Sequence, residues 1–210
     1  MTDMQQSKAL SAKQQQIVEA AYGVFARYGF ARTTMADLAQ AAGLSRPALY
    51  LVYCGKAEVF EAVIDWFVTA TLAEIHATLD PAWALERQLL HVAELSIARG
   101  YDMLASNPDA ADLMSPERHG PALQASFDRL QLLLADLLRA PAARARLGVT
   151  GDELAHVLMA AMKGFKIAAK DGNDLRALIA AQVRLTVAAL GEPLSALPAK
   201  AKATGTARAR

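Results

Sequence analysis

One cysteine, Cys54, is all the thiol chemistry that the 210-residue chain holds. Alone it can neither close an intramolecular disulfide nor assemble a thiolate metal site, so a disulfide scaffold and a cysteine-ligated metal fold are both excluded. A surplus of charge of either sign is missing too: 22 Lys and Arg stand against 21 Asp and Glu, a net +1. Binding held by bulk charge, as in histone-like proteins, is therefore excluded, and any contact with nucleic acid must come from a local arrangement. No apolar run reaches the roughly 18 residues that cross a bilayer, because charges such as Asp65, Glu74, Lys163 and Lys166 interrupt each long one. The opening MTDMQQSKALSAKQQQ has no apolar block of about 7 to 15 residues behind basic ones, so no secretion signal is read there and a cytoplasmic location is expected. Glycine-rich phosphate loops, nucleophile elbows and zinc-ligand spacings do not occur, and nothing alternates with the period of a β-strand.

What the chain does have is apolar substance, 54% of its residues, in helical periods. Ile17, Ala21, Val24, Phe25 and Tyr28 predict a helix over 12–28 that stops at Gly29. Thr33 and Thr34 suit the start of a short second helix, carried by Met35, Leu38 and Ala39 to about Ala42. Gly43 permits a tight turn, Ser45 is a natural N-cap, and Pro47 in the first turn of a third helix removes no intrahelical bond before the helix ends near Val52. A long amphipathic helix follows to about Thr78, closed by Asp80 and Pro81. Further helices are predicted over about 82–105 and 121–139, with loops at Asn107-Pro108, Ser115-Pro116 and Gly120-Pro121. The last two, over about 151–170 and 173–190, are divided where Gly172 suits a C-cap and Asn173 an N-cap. The expected fold is all-α, about nine helices. Residues 1–11 form a flexible arm, 12–55 a three-helix unit, 56–192 a second helical domain and 193–210 a basic tail expected to be disordered. The tail carries Lys200, Lys202, Arg208 and Arg210, which either touch phosphates or stay solvated.

The stretch TMADLAQAAGLSRPALY from Thr34 to Tyr50, followed by Tyr53 and Lys56, closely resembles the helix-turn-helix of the tetracycline-repressor (TetR) family. The resemblance implies a DNA-binding transcriptional regulator, typically a repressor released from its operator by a small effector, acting as a homodimer, with no cofactor, no metal and no enzymatic activity. Val52 departs from the family pattern, which usually has an aromatic residue or histidine there, and Cys54 stands where proline or another small residue is commoner.

Residue chemistry assigns roles in such a motif. The second helix of a helix-turn-helix lies in a major groove about 12 Å wide, its first residues reaching base edges. Arg46 has the length for two hydrogen bonds to guanine or for a phosphate. Thr34 at a helix start can hold a phosphate, Tyr50 and Tyr53 can donate hydroxyls to phosphates, and Lys56 adds a point charge. Pro47 and Ala48 offer apolar contact to a thymine methyl. Ser45 is either a cap or a base reader, and Tyr53 either a DNA contact or core. Over residues 1–60 six basic side chains face four acidic ones, a difference of +2.

Further along, the resemblance implies an effector pocket and a dimer interface. Trp66, Trp83, His91, Tyr101, Met103, Met114 and Phe127 are the large or adaptable side chains available to line the pocket, or else plain core, and their character favours a hydrophobic or aromatic ligand. Leu154, Leu158, Met162, Phe165, Leu178, Val183 and Leu185 give the last two helices apolar surface for pairing with a second copy, the alternative being an intrachain core. Two other functions compete. Glu153 and His156 have the Glu-x-x-His spacing of helical di-iron enzymes, but no second copy of the spacing exists. The remaining alternative is a helical interaction module that has lost DNA binding.

Overall fold

The computed structural model describes residues 10–114, 116–139 and 148–194. Most of the expected arm and tail, residues 1–9 and 195–210, lies outside them. Nine α-helical segments and no strand occur among the described residues: α1 (Ala12–Arg32), α2 (Met35–Ala41), α3 (Arg46–Tyr50), α4 (Lys56–Thr78), α5 (Leu85–Ala93), α6 (Arg99–Ala105), α7 (Pro116–Leu137), α8 (Gly151–Ala168) and α9 (Gly172–Leu190). A π-helical turn, Glu94–Ala98, joins α5 to α6 in one rod, and a 3₁₀ segment, Pro108–Met114, leads toward α7.

Local chemistry sets most of the starts. Ser11 with Gln14, Thr34 with Asp37 and Thr150 with Glu153 each form a reciprocal capping box, in which side chain and backbone satisfy each other's orphan groups. Ser45 caps α3 by accepting from the Ala48 N–H at 3.3 Å. Boundaries differ from the sequence-based expectation in several places: α1 runs on to Arg32 across the non-helical Gly29, the stretch expected over about 82–105 starts at Leu85 and is interrupted by the π turn, and two more differences have a plain local cause. α7 begins at Pro116, not near residue 121: proline at a first helical position has the required φ already, and Pro121 is absorbed near the helix start at the loss of one backbone bond. α9 is capped by Asp171, whose carboxylate accepts from the Asp174 N–H at 2.8 Å, so Gly172 is its first residue, not a cap of α8.

Two apolar cores result. The first gathers Ile17, Val18, Ala21 and Phe25 of α1 with Leu38, Leu49, Tyr53, Val59, Phe60 and Val63, and it takes in Ala110 and Leu113 from the 3₁₀ segment. The second joins Ile75 of α4 to α5, α7, α8 and α9 through Leu89, Leu134, Leu158, Met162, Leu175 and Val183. α4 thus enters one core with its first half and the other with its second. Polar ties hold α9 to the α5–α6 rod: Arg184 meets the buried Glu86 at 2.7 Å, and Arg176 bridges Glu94 and Asp102 at 2.7 Å each.

The end of α1 is locked into the 3₁₀ segment. Gly29 takes φ 73°, a left-handed value that a side chain makes costly, and a Cβ there would collide with the Asp109 carbonyl and the Asp112 carboxylate. That close approach lets Asp112 accept from the backbone N–H groups of Phe30 at 2.8 Å and Ala31 at 2.6 Å. Gly29→Ala is expected to destabilise the fold by at least about 2 kcal/mol, since strain and collision add, and urea unfolding checks it.

Candidate nucleic-acid interface and apolar cavity

α2, a turn at Gly43 with φ 65°, and α3 form the helix-turn-helix. Its fixed side is set by the buried Leu38, Ala39 and Leu49 against α1. With Leu49 inward, the rest of the five-residue α3 must turn outward, and Ser45, Arg46, Pro47 and Tyr50 are all exposed, with Ala48 half-buried. Arg46 has no hydrogen-bond or ion-pair partner among the described residues, so its five donors face solvent. Leu51, just past α3, is 86% exposed, an apolar side chain beside Arg46 and Tyr50 that periodicity alone did not single out.

Three of the residues expected at the DNA have other work in the fold. Tyr53 is buried in the first core, and its hydroxyl has no partner among the described residues. Lys56 spends its ammonium on the exposed carbonyls at the end of α1: Phe30 O at 2.6 Å, Thr33 O at 2.7 Å and Ala31 O at 3.3 Å, with the charge 4.4 Å from the Phe30 ring centroid. All three protons are used, so Lys56 joins α4 to α1 where a phosphate contact was expected. The Thr34 hydroxyl donates to Asp37 at 2.7 Å and accepts from its N–H, which places a carboxylate where a phosphate was expected. These hydrogen bonds hold the Asp37 carboxyl below its ordinary pKa and so keep it charged.

Between the two cores lies a partly open, mainly apolar cavity of about 140 Å³. Tyr22, Phe25, Phe60, Val63 and Phe67 wall it from α1 and α4; Ser96 and Ile97 come from the π turn, Met103 and Leu104 from α6, Leu113 from the 3₁₀ segment, and Ser126, Phe127 and Lys166 from α7 and α8. A π turn bulges one residue out of register, and here it directs Ser96 and Ile97 to the cavity. Met103 and Phe127 of the expected lining residues are in this wall. Trp66 packs on Tyr22 outside it, at 5.8 Å between ring centroids. Trp83 and His91 line a separate cleft with Arg87 and Arg176, and Tyr101 packs on the second core and donates to the Ala169 carbonyl at 3.2 Å. The side chain of Met114 is outside the described residues.

The residues expected to pair between copies also divide. Leu158, Met162 and Val183 are fully buried within the chain, and Leu154 and Phe165 pack on the same core. Leu178 is half-buried, while Leu185 is 67% exposed. Helical spacing turns Leu158 and Met162 inward together, and the apolar groups left outside are Val157 and Ile167 on α8. The Glu-x-x-His spacing has a plain structural origin: Glu153 completes the capping box with Thr150, and His156 meets Gln131 at 3.2 Å. No cluster of metal-ligating side chains occurs among the described residues, and no helix there is long and apolar enough to cross a membrane.

Comparisons with known proteins agree with this geometry. Residues 17–63 match the family described as bacterial regulatory proteins, tetR family. Over 82 residues the chain is 39% identical to the probable HTH-type transcriptional regulator ArpR and 38% identical to the HTH-type transcriptional regulator TtgR, both of Pseudomonas putida. Each of these matches covers 37% of this chain and 39% of the relative, so the chain spans about two fifths of the length of the relatives it matches. Among solved structures, a transcriptional regulator from Cytophaga hutchinsonii superposes with a TM-score of 0.68 at 18% identity, over 85% of this chain and 98% of that one, a likeness of fold.

Two substitutions separate fold from interface. Tyr53→Phe is expected to keep stability within about 1 kcal/mol of the parent or raise it, since it removes an unpaired buried hydroxyl. Lys56→Met is expected to cost about 2 kcal/mol, since three backbone carbonyls lose a charged donor. Thermal and urea unfolding of both variants measures the difference.

Proposed function

We propose that this chain, whose residues 17–63 match the tetR family of bacterial regulatory proteins and which resembles HTH-type transcriptional regulators there, is a ligand-responsive repressor acting as a homodimer. In this reading residues 12–55 form the DNA-binding head and 56–192 the effector-binding and dimerisation domain. The observation that carries it is the place of the cavity: a partly open, mainly apolar space bounded on one side by the core of the head and on the other by the core of the body.

On DNA, α3 enters the major groove. Arg46 reads a base edge, Ser45 and Tyr50 hold phosphates, and Pro47, Ala48 and Leu51 supply apolar contact. Two heads separated by about one helical turn, roughly 34 Å, read a two-fold site. Exposed Val157, Ile167 and Leu185 supply α8 and α9 with apolar surface for the second copy. The effector occupies the cavity, whose aromatic wall suits an apolar or aromatic body. Leu113 in that wall and Asp112 on the backbone of Phe30 and Ala31 are neighbours in one 3₁₀ segment. A ligand that displaces Leu113 therefore pulls on the end of α1, which Thr33 and Thr34 connect directly to α2. Release follows only if the ligand favours one setting of the heads over the other; equal affinity for both shifts nothing.

Selection of duplexes from a random pool by the purified protein tests the reading. A two-fold motif with half-sites about one turn apart is the expected result, and no enrichment would support instead an interaction module without DNA binding. On the selected duplex, Arg46→Ala is expected to cost about 1–3 kcal/mol by fluorescence anisotropy, with a smaller loss on scrambled DNA. Equal losses on both would reassign Arg46 to a phosphate.

A further inference from the structure

Among the described residues one charged group stands in the mainly apolar wall of the cavity: Lys166, on α8. Most of what surrounds this lysine is apolar, and neither a hydrogen bond nor an ion pair to a carboxylate engages its ammonium among the described residues. Its contact is with the Phe127 ring, 5.8 Å from the centroid, and Lys163 lies nearer the same ring at 4.1 Å. Burial and the neighbouring charge of Lys163 push the Lys166 pKa down to about 8. A partly buried ammonium with a like charge beside it carries a cost that a counter-anion would relieve. The other hydroxyls in the wall are engaged elsewhere, Ser96 on Val92 O at 2.6 Å, Ser126 on Ala122 O at 2.9 Å and Tyr22 on Met103 Sδ at 2.9 Å, and none accepts from Lys166 among the described residues.

Size narrows the ligand. About 140 Å³ is close to the roughly 150 Å³ of an apolar protein cavity that accepts one benzene molecule. One ring or an equally small apolar body fills it, with its polar group left at the wall.

We infer that the cavity takes a small amphipathic carboxylate, a single aromatic ring seated among Phe25, Phe60 and Phe67 with its carboxylate paired to the Lys166 ammonium. The inference rests on the cavity being the effector site and adds the sign of the ligand's charge and the residue that reads it. A charge-assisted hydrogen bond out of water discriminates a carboxylate from its neutral amide, and salt screens it less than a surface pair.

Calorimetric titration of the purified protein with benzoate, phenylacetate and 3-phenylpropanoate, each beside its primary amide, and with ethylbenzene, tests it. In the parent protein at least one carboxylate is expected to bind about tenfold or more tightly than its amide. Lys166→Met, which exchanges the ammonium for an apolar group of similar length, is expected to abolish that preference while the amides and ethylbenzene bind as before or better. Lys163→Met is expected to retain the preference, because Lys163 is not in the cavity wall. Amides binding as well as carboxylates in the parent, or a preference that survives Lys166→Met or is lost equally in Lys163→Met, would overturn the pairing while leaving the effector cavity intact. Failure of all seven compounds to bind would overturn both.

Discussion

The backbone of Phe30 and Ala31 is held from both sides by opposite charges. The Asp112 carboxylate takes their N–H groups, and the Lys56 ammonium takes their carbonyls together with that of Thr33. This arrangement ends α1, starts α4 and anchors the 3₁₀ segment in one place, and it exists only because Gly29 lets the backbone turn left-handed without a side chain in the way. Remove it and the head would rest on the body mainly through apolar packing, which is non-directional and tolerates sliding, with the exposed Arg32–Asp109 ion pair and the Tyr22 hydroxyl on Met103 as further polar ties. With it, the orientation of α1, and through Thr33 and Thr34 that of α2 and α3, follows the position of a single seven-residue turn.

That turn is also a wall of the cavity. Tyr22 and Phe25 border the cavity from α1 of the head and Phe60 and Val63 from the first half of α4, which packs in the head's core, while Ile97, Phe127 and Leu130 border it from the rest of the body. A space at such a junction is a point of low packing between two well-packed cores, and filling it changes how the cores meet more readily than it deforms either one. The proposed response to an effector needs no long relay: the elements that would feel the ligand are the ones that carry the head.

Much of the fold was legible in the chain because its starts are written in capping residues. Ser11, Thr34, Ser45 and Thr150 each stand where a helix begins, and the apolar periods behind them leave little choice of buried face. Breakers were harder to read. Pro121 and Gly172 signal interruption locally, yet α7 carries Pro121 within it and α9 takes Gly172 as its first residue, with Asp171 as the cap that decides the second boundary. The outward side of α3 was legible from Leu49, whose inward period forces Arg46 and Tyr50 out. Lys56, Tyr53 and Thr34 were not, because residue type tells what a side chain can bond and not whether a carbonyl or carboxylate of the same chain reaches it first. The cavity was legible only as a supply of large side chains. Its wall draws on residues from Tyr22 to Lys166, far apart in the chain, and Lys166 registered in the sequence only as a charge interrupting an apolar run.

The central claim, that cavity and DNA head are thermodynamically linked, is tested most directly by titrating a single-ring aromatic ligand of the cavity into the free protein and into protein saturated with its selected duplex. Linkage requires the two affinities to differ by the same factor by which the ligand weakens DNA binding, typically about 5- to 150-fold. Agreement of the two factors, with both shrinking toward one in Asp112→Ala, is the result the account predicts. Identical ligand affinity with and without DNA would contradict it.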